Sequence, residues 1–220
     1  MLQAVLFDLD GTLADTALDL GCALNQLLIH RGLSPLPMDL VRPIASHGTR
    51  GLLKLGMNID ESDSEFLQLR EAFLAQYETT FTNKTILFPE INPLIKEIIA
   101  MELKWGIVTN KPKVFTNRLI DQLGFVYPPQ VIVSGDTTSE AKPSTKPMLF
   151  ACEQLGVDTK NCIYVGDAKR DIEAGKNAGM ITVLASWGYL SEKDKEEDWG
   201  EDFKINTPLA LLPIILQYQY

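Results

Sequence analysis

Residues 4–15 read Ala-Val-Leu-Phe-Asp-Leu-Asp-Gly-Thr-Leu-Ala-Asp, and this stretch decides the fold. Its apolar start, 4–7, predicts a short strand that is buried on both faces, as in a parallel sheet. Two carboxylates follow, Asp8 and Asp10, and open α/β sheets hold their ligands at the carboxyl ends of their strands. Gly11 permits a turn there, so both carboxylates can converge on one cavity. A hard divalent ion such as Mg²⁺ would offset their mutual repulsion.

The composition limits the class of protein. The 220 residues are enough for one large domain or a core with a smaller insert. Of these, 45% are hydrophobic and 22% are charged, as is ordinary for a soluble globular protein. The net charge of −9 argues against non-specific binding to nucleic acid, which needs a basic surface. We expect neither a signal peptide nor a membrane partner, because no apolar run is long enough. Three cysteines without metal spacing indicate reduced thiols in a cytoplasmic protein.

After the first strand, the chain returns to an alternation of short apolar runs and amphipathic helical patterns that end at glycines. Strands and helices that alternate in this way predict an α/β fold, a doubly wound parallel sheet of Rossmann-like type with right-handed crossovers. The further predicted strands lie at 105–108, 131–134, 162–165 and 181–184.

Residues 15–82 differ from this alternation. They carry amphipathic helical patterns, of which 16–30 and 61–81 are the longest, and no convincing strand. An all-helical block between a first strand and a later series of strands indicates an insert. We expect this insert to cover the edge of the sheet at which the strands have their carboxyl ends. We therefore predict a catalytic core formed by 1–14 and 83–220, and a small all-helical cap domain formed by 15–82.

Two further segments have distinctive compositions. Residues 46–51 read Ser-His-Gly-Thr-Arg-Gly and predict a small polar loop. Residues 191–204 are charged and mostly acidic, which favours a solvated surface turn or helix.

The residues suited to chemistry are spread along the chain, but each stands directly after or near a predicted strand. In a parallel sheet these strand ends share one edge, so the residues can meet in one pocket. A single Asp-x-Asp is weak evidence, since Asp-Gly is common in polar turns, whereas the ordered set is strong evidence. The set comprises Asp8 and Asp10, then Thr109 and Asn110, then Lys142, and finally Asp167 with Asp171.

Several of these positions have a structural alternative. Thr109 and Asn110 are compatible with an ordinary turn after a strand. Lys142 is compatible with a surface lysine, and the nearby Lys146 competes for its role. Asp171 is compatible with a residue that interacts with a helix dipole, which does not conflict with a role in the site.

The ordered set resembles the four motifs of the haloacid dehalogenase superfamily, in its phosphatase branch. The helical insert resembles the cap that this superfamily places between motifs one and two. The chain resembles phosphoglycolate phosphatase-like enzymes, while 42–48 and 105–112 also resemble bacterial N-acetylmuramic acid 6-phosphate phosphatases. The four matching motifs are Asp8-x-Asp10-Gly11-Thr12, Thr109, Lys142-Pro143 and Gly166-Asp167-x-x-x-Asp171.

The resemblance implies Mg²⁺-dependent hydrolysis of a small-molecule phosphomonoester. Asp8 would be the nucleophile that forms an aspartyl-phosphate, and Asp10 would be the general acid and base. Asp8, the backbone carbonyl of Asp10 and Asp167 would hold the Mg²⁺. Asp171 would act behind these groups, by orienting Lys142 or a metal-bound water.

The resemblance also implies how the phosphoryl group is held. Thr109, the Asn110 backbone and Lys142 would bind its oxygens. In the predicted cap, His47 and Arg50 would read the organic part of the substrate, with Arg50 paired to a substrate carboxylate. The alternative for His47 is a loop residue without a task.

Other functions of the same superfamily stay open at this point. Hydrolysis of N-acetylmuramic acid 6-phosphate in peptidoglycan recycling predicts a roomier cavity, and a β-phosphoglucomutase-like isomerase would share Asp8 and Asp10. Ser46-His47-Gly48 departs from the Gly-x-Gly of many related caps, which leaves the substrate open. A 2-haloacid dehalogenase is disfavoured because such enzymes lack the second aspartate, and a non-enzymatic binding protein is disfavoured because no catalytic position is missing. The sequence does not distinguish a monomer from a homodimer.

Overall fold

The chain folds around a parallel sheet, in a computed structural model that describes residues 1–191, 194 and 196–219. Six strands form this sheet, and two shorter ones form a separate antiparallel pair. The strands are, in chain order, β1 (Ala4–Phe7), β2 (Ala14–Asp15), β3 (Ile86–Leu87), β4 (Lys104–Val108), β5 (Val131–Val133), β6 (Cys162–Gly166), β7 (Ile181–Ala185) and β8 (Phe203–Ile205). The order across the large sheet is β5-β4-β1-β6-β7-β8, with all neighbours parallel. The predicted α/β class is confirmed.

Helices account for most of the remaining chain. Within the described ranges, none of them combines the length and the apolar character that crossing a bilayer takes. The α-helices are, in chain order, α1 (Ala17–His30), α2 (Met38–Val41), α3 (Gly48–Met57), α4 (Phe66–Glu78), α5 (Ile91–Ala100), α6 (Lys113–Gln122), α7 (Lys146–Leu155), α8 (Lys169–Asn177) and α9 (Leu211–Gln217).

The side chains of β1 alternate between two apolar cores. Val5 and Phe7 point into the larger core, which includes buried residues of α5, α6 and α9. Ala4 and Leu6 point into a smaller core formed with α7 and α8. A strand buried on both faces is what a continuous apolar run predicts, because successive side chains of a strand point to opposite faces. β1 therefore lies in the middle of the molecule, and its carboxyl end opens at the sheet edge.

Residues 17–78 form a helical block outside the sheet. α1 contacts α3 and α4, and all three contribute buried side chains to the larger core. The chain passes from the sheet to this block through β2 and returns through β3, and these strands pair with Ala14 opposite Leu87. The sequence did not predict this pair, because two-residue strands are too short to show a period. The division into a core and a cap domain stays a prediction.

Residues 46–51 are not the polar loop that the sequence predicted. A 3₁₀ helix covers Arg42–His47, and α3 begins at Gly48. Leu52 and Leu53 are fully buried in this helix. The small polar residues 46–51 carry none of the apolar spacing that predicts a helix. Their helical conformation is therefore set by tertiary packing and not by local pattern.

The prediction of a solvated turn or helix for 191–204 is wrong at the end of the segment. Phe203–Ile205 form β8, which adds a sixth strand to the sheet, and Ile205 is buried opposite Ala185. A three-residue strand next to an acidic run carries too short an apolar pattern to be recognised. Residues 192, 193 and 195 of this segment lie outside the described residues.

Asp19 of α1 joins the helical block to the chain that returns to the sheet. Its carboxylate is 1% exposed. It accepts hydrogen bonds from the backbone N–H groups of Lys84 and Thr85 and from the Thr85 hydroxyl, at 2.8 to 3.0 Å. Removing the carboxylate would leave these three donors without their shared partner.

We expect Asp19→Ala to lower the free energy of unfolding by about 3 kcal/mol, because several donors to a charged acceptor are lost together. Urea unfolding followed by circular dichroism measures this loss. Glu71→Ala, at an exposed position of α4, is the matched control and should change the value little. Equal stabilities for the two variants would contradict the role of Asp19.

Candidate active site

Three buried carboxylates meet at the carboxyl edge of the sheet. Asp8 directly follows β1, Asp167 directly follows β6, and Asp171 lies in the first turn of α8. One oxygen of each lies within 4.8 Å of the others, and none of the three residues is more than 1% exposed. The parallel register of β1 and β6 brings the two strand ends side by side, as the sequence led us to expect.

Lys142 lies between two of these carboxylates. Its Nζ is 2.9 Å from Asp8 Oδ1 and 2.7 Å from Asp171 Oδ1, and the side chain is fully buried. It also lies 2.8 Å from the Val108 carbonyl and 2.7 Å from the Tyr164 hydroxyl. The competing Lys146, at the start of α7, is instead exposed and pairs with Glu140 in the segment before that helix.

The charge state of Asp8 is set by its neighbours. Burial on its own would raise the pKa of this carboxyl, but the positive charges of Lys142 and Arg170 outweigh burial and hold the pKa below its ordinary value. Asp8 is therefore ionised at neutral pH. An ionised, desolvated carboxylate at the edge of a cavity is suited to nucleophilic attack.

The two carboxylate oxygens of Asp167 differ in their surroundings. Oδ2 accepts hydrogen bonds from the Ser46 hydroxyl at 2.6 Å and from the Tyr189 N–H at 2.9 Å, whereas Oδ1 is buried and has no partner among the described residues. Burial, with the charges of Asp171 and Asp8, raises the pKa of Asp167 to about 7. Gly11 packs so closely that a Cβ there would lie 2.1 Å from Asp167 Oδ2. A cation beside the free oxygen would satisfy it and offset the neighbouring negative charges, so these residues fit Mg²⁺.

Asp10 turns away from this cluster. Its Oδ1 lies 2.9 Å from Nζ of Lys111, which also donates to the hydroxyl of Tyr77 at 2.8 Å. Burial raises the pKa of Tyr77 to about 12, so its hydroxyl stays protonated. Sequence reasoning missed Lys111, although it directly follows Thr109-Asn110, because its partner Tyr77 lies far along the chain in α4.

Thr109 and Asn110 follow β4 at the same edge. Thr109 is buried, and its hydroxyl accepts a hydrogen bond from the Lys111 N–H. The side-chain amide of Asn110 binds both backbone groups of Lys142, each at 2.9 Å, so it fixes the loop that carries the lysine. This side-chain role was not predicted from the sequence, which offered only the Asn110 backbone as a ligand.

A cavity of about 1000 Å³ opens over these residues, between the sheet edge and the helical block. His47 and Arg50 both line it. The guanidinium of Arg50 lies 3.2 Å from Glu61, and both side chains are exposed. Partial desolvation and the charge of Arg170 lower the pKa of His47. Both predicted cap residues thus face the cavity.

A family model described as haloacid dehalogenase-like hydrolase matches residues 5–185. The chain belongs to this family. The family resemblance predicted from the motifs is therefore confirmed.

Two curated relatives of this hydrolase cover almost its whole length and are phosphatases. An N-acetylmuramic acid 6-phosphate phosphatase of Pseudomonas putida is 35% identical over 97% of the chain and 96% of the relative. A phosphoglycolate phosphatase of Xanthomonas campestris is 37% identical over 95% of the chain and 94% of the relative. The predicted class, a haloacid dehalogenase-like hydrolase with phosphatases as relatives, is confirmed.

The fold of the hydrolase also matches a solved structure. The crystal structure of a predicted phosphoglycolate phosphatase from Haemophilus somnus superposes with a TM-score of 0.85, at 24% identity, over 97% of this chain and 98% of that one. At this identity the likeness supports the fold alone.

The raised pKa of Asp167 makes stability depend on pH when no metal ion is bound. This pKa is about 7 in the folded chain, against 3.8 for an unperturbed aspartate, so the fold favours the protonated acid. The stability that this provides is complete below pH 4 and is lost as the pH rises to about 7, by up to about 4 kcal/mol.

We therefore measure, in EDTA, the unfolding temperature of Asp167→Asn minus that of wild type. We expect this difference to be larger at pH 8 than at pH 5, because asparagine cannot ionise. Thermal unfolding at a series of pH values measures the difference. Asp39→Asn, at an exposed position, should follow wild type at every pH. A difference between Asp167→Asn and wild type that does not vary with pH would contradict the raised pKa.

Proposed function

We propose that the protein is a Mg²⁺-dependent phosphatase that hydrolyses a small-molecule phosphomonoester through an aspartyl-phosphate on Asp8. The observation that carries this proposal is the Asp8 carboxylate itself, which is buried, held ionised by Lys142 and placed at the floor of the cavity. Its position directly after the central strand gives it a rigid support, and the phosphatase relatives support the reaction class.

In the first step, Asp8 attacks phosphorus and the bond between phosphorus and the ester oxygen breaks. Asp10 donates a proton to the departing alcohol oxygen. In the second step a water molecule attacks the aspartyl-phosphate, Asp10 takes a proton from that water, and the bond to Asp8 breaks to release orthophosphate. Lys111, bonded to both Asp10 and Tyr77, keeps the Asp10 carboxylate at one place through both steps.

The phosphoryl group is held by its surroundings at the sheet edge. Thr109 and the backbone N–H of Asn110 offer hydrogen-bond donors to its oxygens, and Lys142 supplies positive charge beside Asp8. Asp171 fixes Lys142 through its short ion pair. Asp8, Asp167 and the backbone carbonyl of Asp10 would hold Mg²⁺, which when bound screens the anionic substrate from the anionic nucleophile.

The segment 15–82, which contains the helical block, is proposed to act as a cap that excludes bulk water and selects the substrate. A cavity between the sheet edge and the proposed cap favours a small ester over a phosphoprotein. The three cysteines are free thiols, which supports the proposed cytoplasmic location.

Phosphoglycolate is one candidate substrate, as in the Xanthomonas campestris relative. The cavity volume favours a second candidate. About 1000 Å³ is at the upper end of the range for pockets that hold drug-sized ligands, which is more than a two-carbon acid fills. N-acetylmuramic acid 6-phosphate, the substrate named for the Pseudomonas putida relative, matches such a volume better.

A phosphate-release assay with Mg²⁺ tests the proposed function. We expect wild type to release orthophosphate from a panel that contains 2-phosphoglycolate, N-acetylmuramic acid 6-phosphate and glucose phosphates. We expect Asp8→Asn to lose at least about 10³-fold in turnover, because an amide is a poor nucleophile of nearly the same size.

Asp136→Asn, at an exposed acid near the same sheet edge, should retain wild-type turnover. Substantial phosphate release by folded Asp8→Asn would reject Asp8 as the nucleophile. Interconversion of glucose phosphates without net phosphate release would instead indicate an isomerase.

Lys111 is expected to matter for turnover more than for substrate binding. We expect Lys111→Met to lower kcat about 10- to 100-fold with a smaller change in KM, because the general acid loses its bonded partner. Steady-state kinetics with an alkyl phosphate that wild type hydrolyses in the phosphate-release panel measures both constants, because its alcohol leaving group needs the proton from Asp10. Lys113→Met, at an exposed position two residues on, should behave as wild type. A wild-type kcat in Lys111→Met would show that Asp10 needs no such support.

A further inference from the structure

Arg170 is a largely buried cation at the floor of the cavity, and the described residues leave its guanidinium short of acceptors. It lies in the first turn of α8, and its side chain is 19% exposed. Its Nη2 is 3.8 Å from Asp8 Oδ2, which is beyond hydrogen-bond distance, and its Nε is buried with no partner in the described part of the chain. A buried N–H of a guanidinium that donates to nothing is costly, so the arrangement fits an acceptor that arrives from the cavity.

Lys142, by contrast, is surrounded by oxygens, two as hydrogen-bond partners and two as ion-pair partners. An ammonium carries three protons. Four oxygens surround its Nζ within 2.9 Å, from Asp8, Asp171, Val108 and Tyr164. Lys142 therefore supplies charge beside Asp8, but a further hydrogen bond to a substrate oxygen would require it to give up a present partner.

Lys142 and Arg170 lie next to different carboxylate oxygens of Asp8, the proposed nucleophile. Lys142 binds Asp8 Oδ1, and Arg170 faces Asp8 Oδ2. A phosphorus atom poised for attack lies about 3 to 3.5 Å from the attacking oxygen. The oxygens that it carries would then come within hydrogen-bond reach of the guanidinium, whose planar fork matches phosphate oxygens.

We propose that Arg170 is a catalytic residue that donates hydrogen bonds to the non-bridging oxygens of the phosphoryl group positioned at Asp8. This assignment deepens the proposed phosphatase function and rests on it. The phosphoryl site then contains two cations with different roles. Lys142 neutralises the carboxylates, and Arg170 binds the oxygens of the transferred phosphoryl group. A merely structural role, as counter-ion to the three carboxylates, predicts a loss of stability but no specific loss of anion binding.

The experiment measures anion binding separately from turnover. Isothermal titration with orthophosphate and with orthovanadate, in the presence of Mg²⁺, is carried out on wild type, Arg170→Met and Arg170→Lys. We expect Arg170→Met to bind orthovanadate about 10²- to 10³-fold more weakly than wild type, since one preorganised donor set is removed. Arg170→Lys should be intermediate, because it keeps the charge but loses the fork.

Lys176→Met is the matched control, since Lys176 is an exposed cation in the last turn of the same helix. It should bind both anions as wild type does. Kinetics with p-nitrophenyl phosphate should show the same order of variants, with kcat/KM falling in parallel with orthovanadate affinity. Thermal unfolding of each variant separates this loss from a loss of the fold.

Folded Arg170→Met with wild-type orthovanadate affinity and wild-type kcat/KM would overturn the assignment. If Arg170→Met does not fold, wild-type affinity and kcat/KM in Arg170→Lys would overturn it equally. Anion binding that depends on Arg170 in a wild type that releases phosphate from no ester would overturn the proposed function, while supporting Arg170 as the anion ligand. Normal turnover in every Arg170 variant would overturn only the inference.

Discussion

The acid cluster depends on the two ion pairs that the Lys142 ammonium makes, with Asp8 and with Asp171. Asp8 and Asp171 each place an oxygen within 2.9 Å of that ammonium, and all three groups are buried. Two carboxylates this close would resist ionisation without a shared cation. Leaving one partner of a buried ion pair uncompensated costs about 3 to 5 kcal/mol. Lys142 therefore allows the end of β1 and the start of α8 to approach each other. Asp167 lies next to both carboxylates.

The balance of charge in this cluster suits two incoming ions of opposite sign. Three buried carboxylates face two cations, the buried Lys142 and the largely buried Arg170, so the acids outnumber the cations by one. Within the described residues, the unbonded oxygen of Asp167 offers a place for a cation, and the unbonded Nε of Arg170 offers a place for an anion. Each of these groups is costly to bury alone, so the folded chain holds two unmet interactions, and these fit the metal ion and the phosphate ester of the proposed reaction.

The sequence predicted what local pattern and strand order determine. The apolar run before Asp8 and the alternation after it gave the parallel sheet, and the ends of β1, β4 and β6 supplied the acids and the hydroxyl of the site. Contacts between distant elements could not be read in this way. Lys111, which follows β4, bonds to Tyr77 of α4, and the sequence does not show that these two elements are neighbours. Arg170 has the pattern of a surface charge on a helix, and only the structure shows that it is largely buried. Three-residue β8 carries too little pattern to be found.

The hydrogen bond from Ser46 to Asp167 ties the helical block to an acid of the sheet edge. Any swing of the block away from the sheet must break that bond and expose a carboxylate that is otherwise shielded. Ion occupancy and the position of the block are then thermodynamically coupled, and the coupling acts equally in both directions. An ion that binds more tightly while this hydrogen bond is made would therefore also stabilise the contact between the block and the sheet edge.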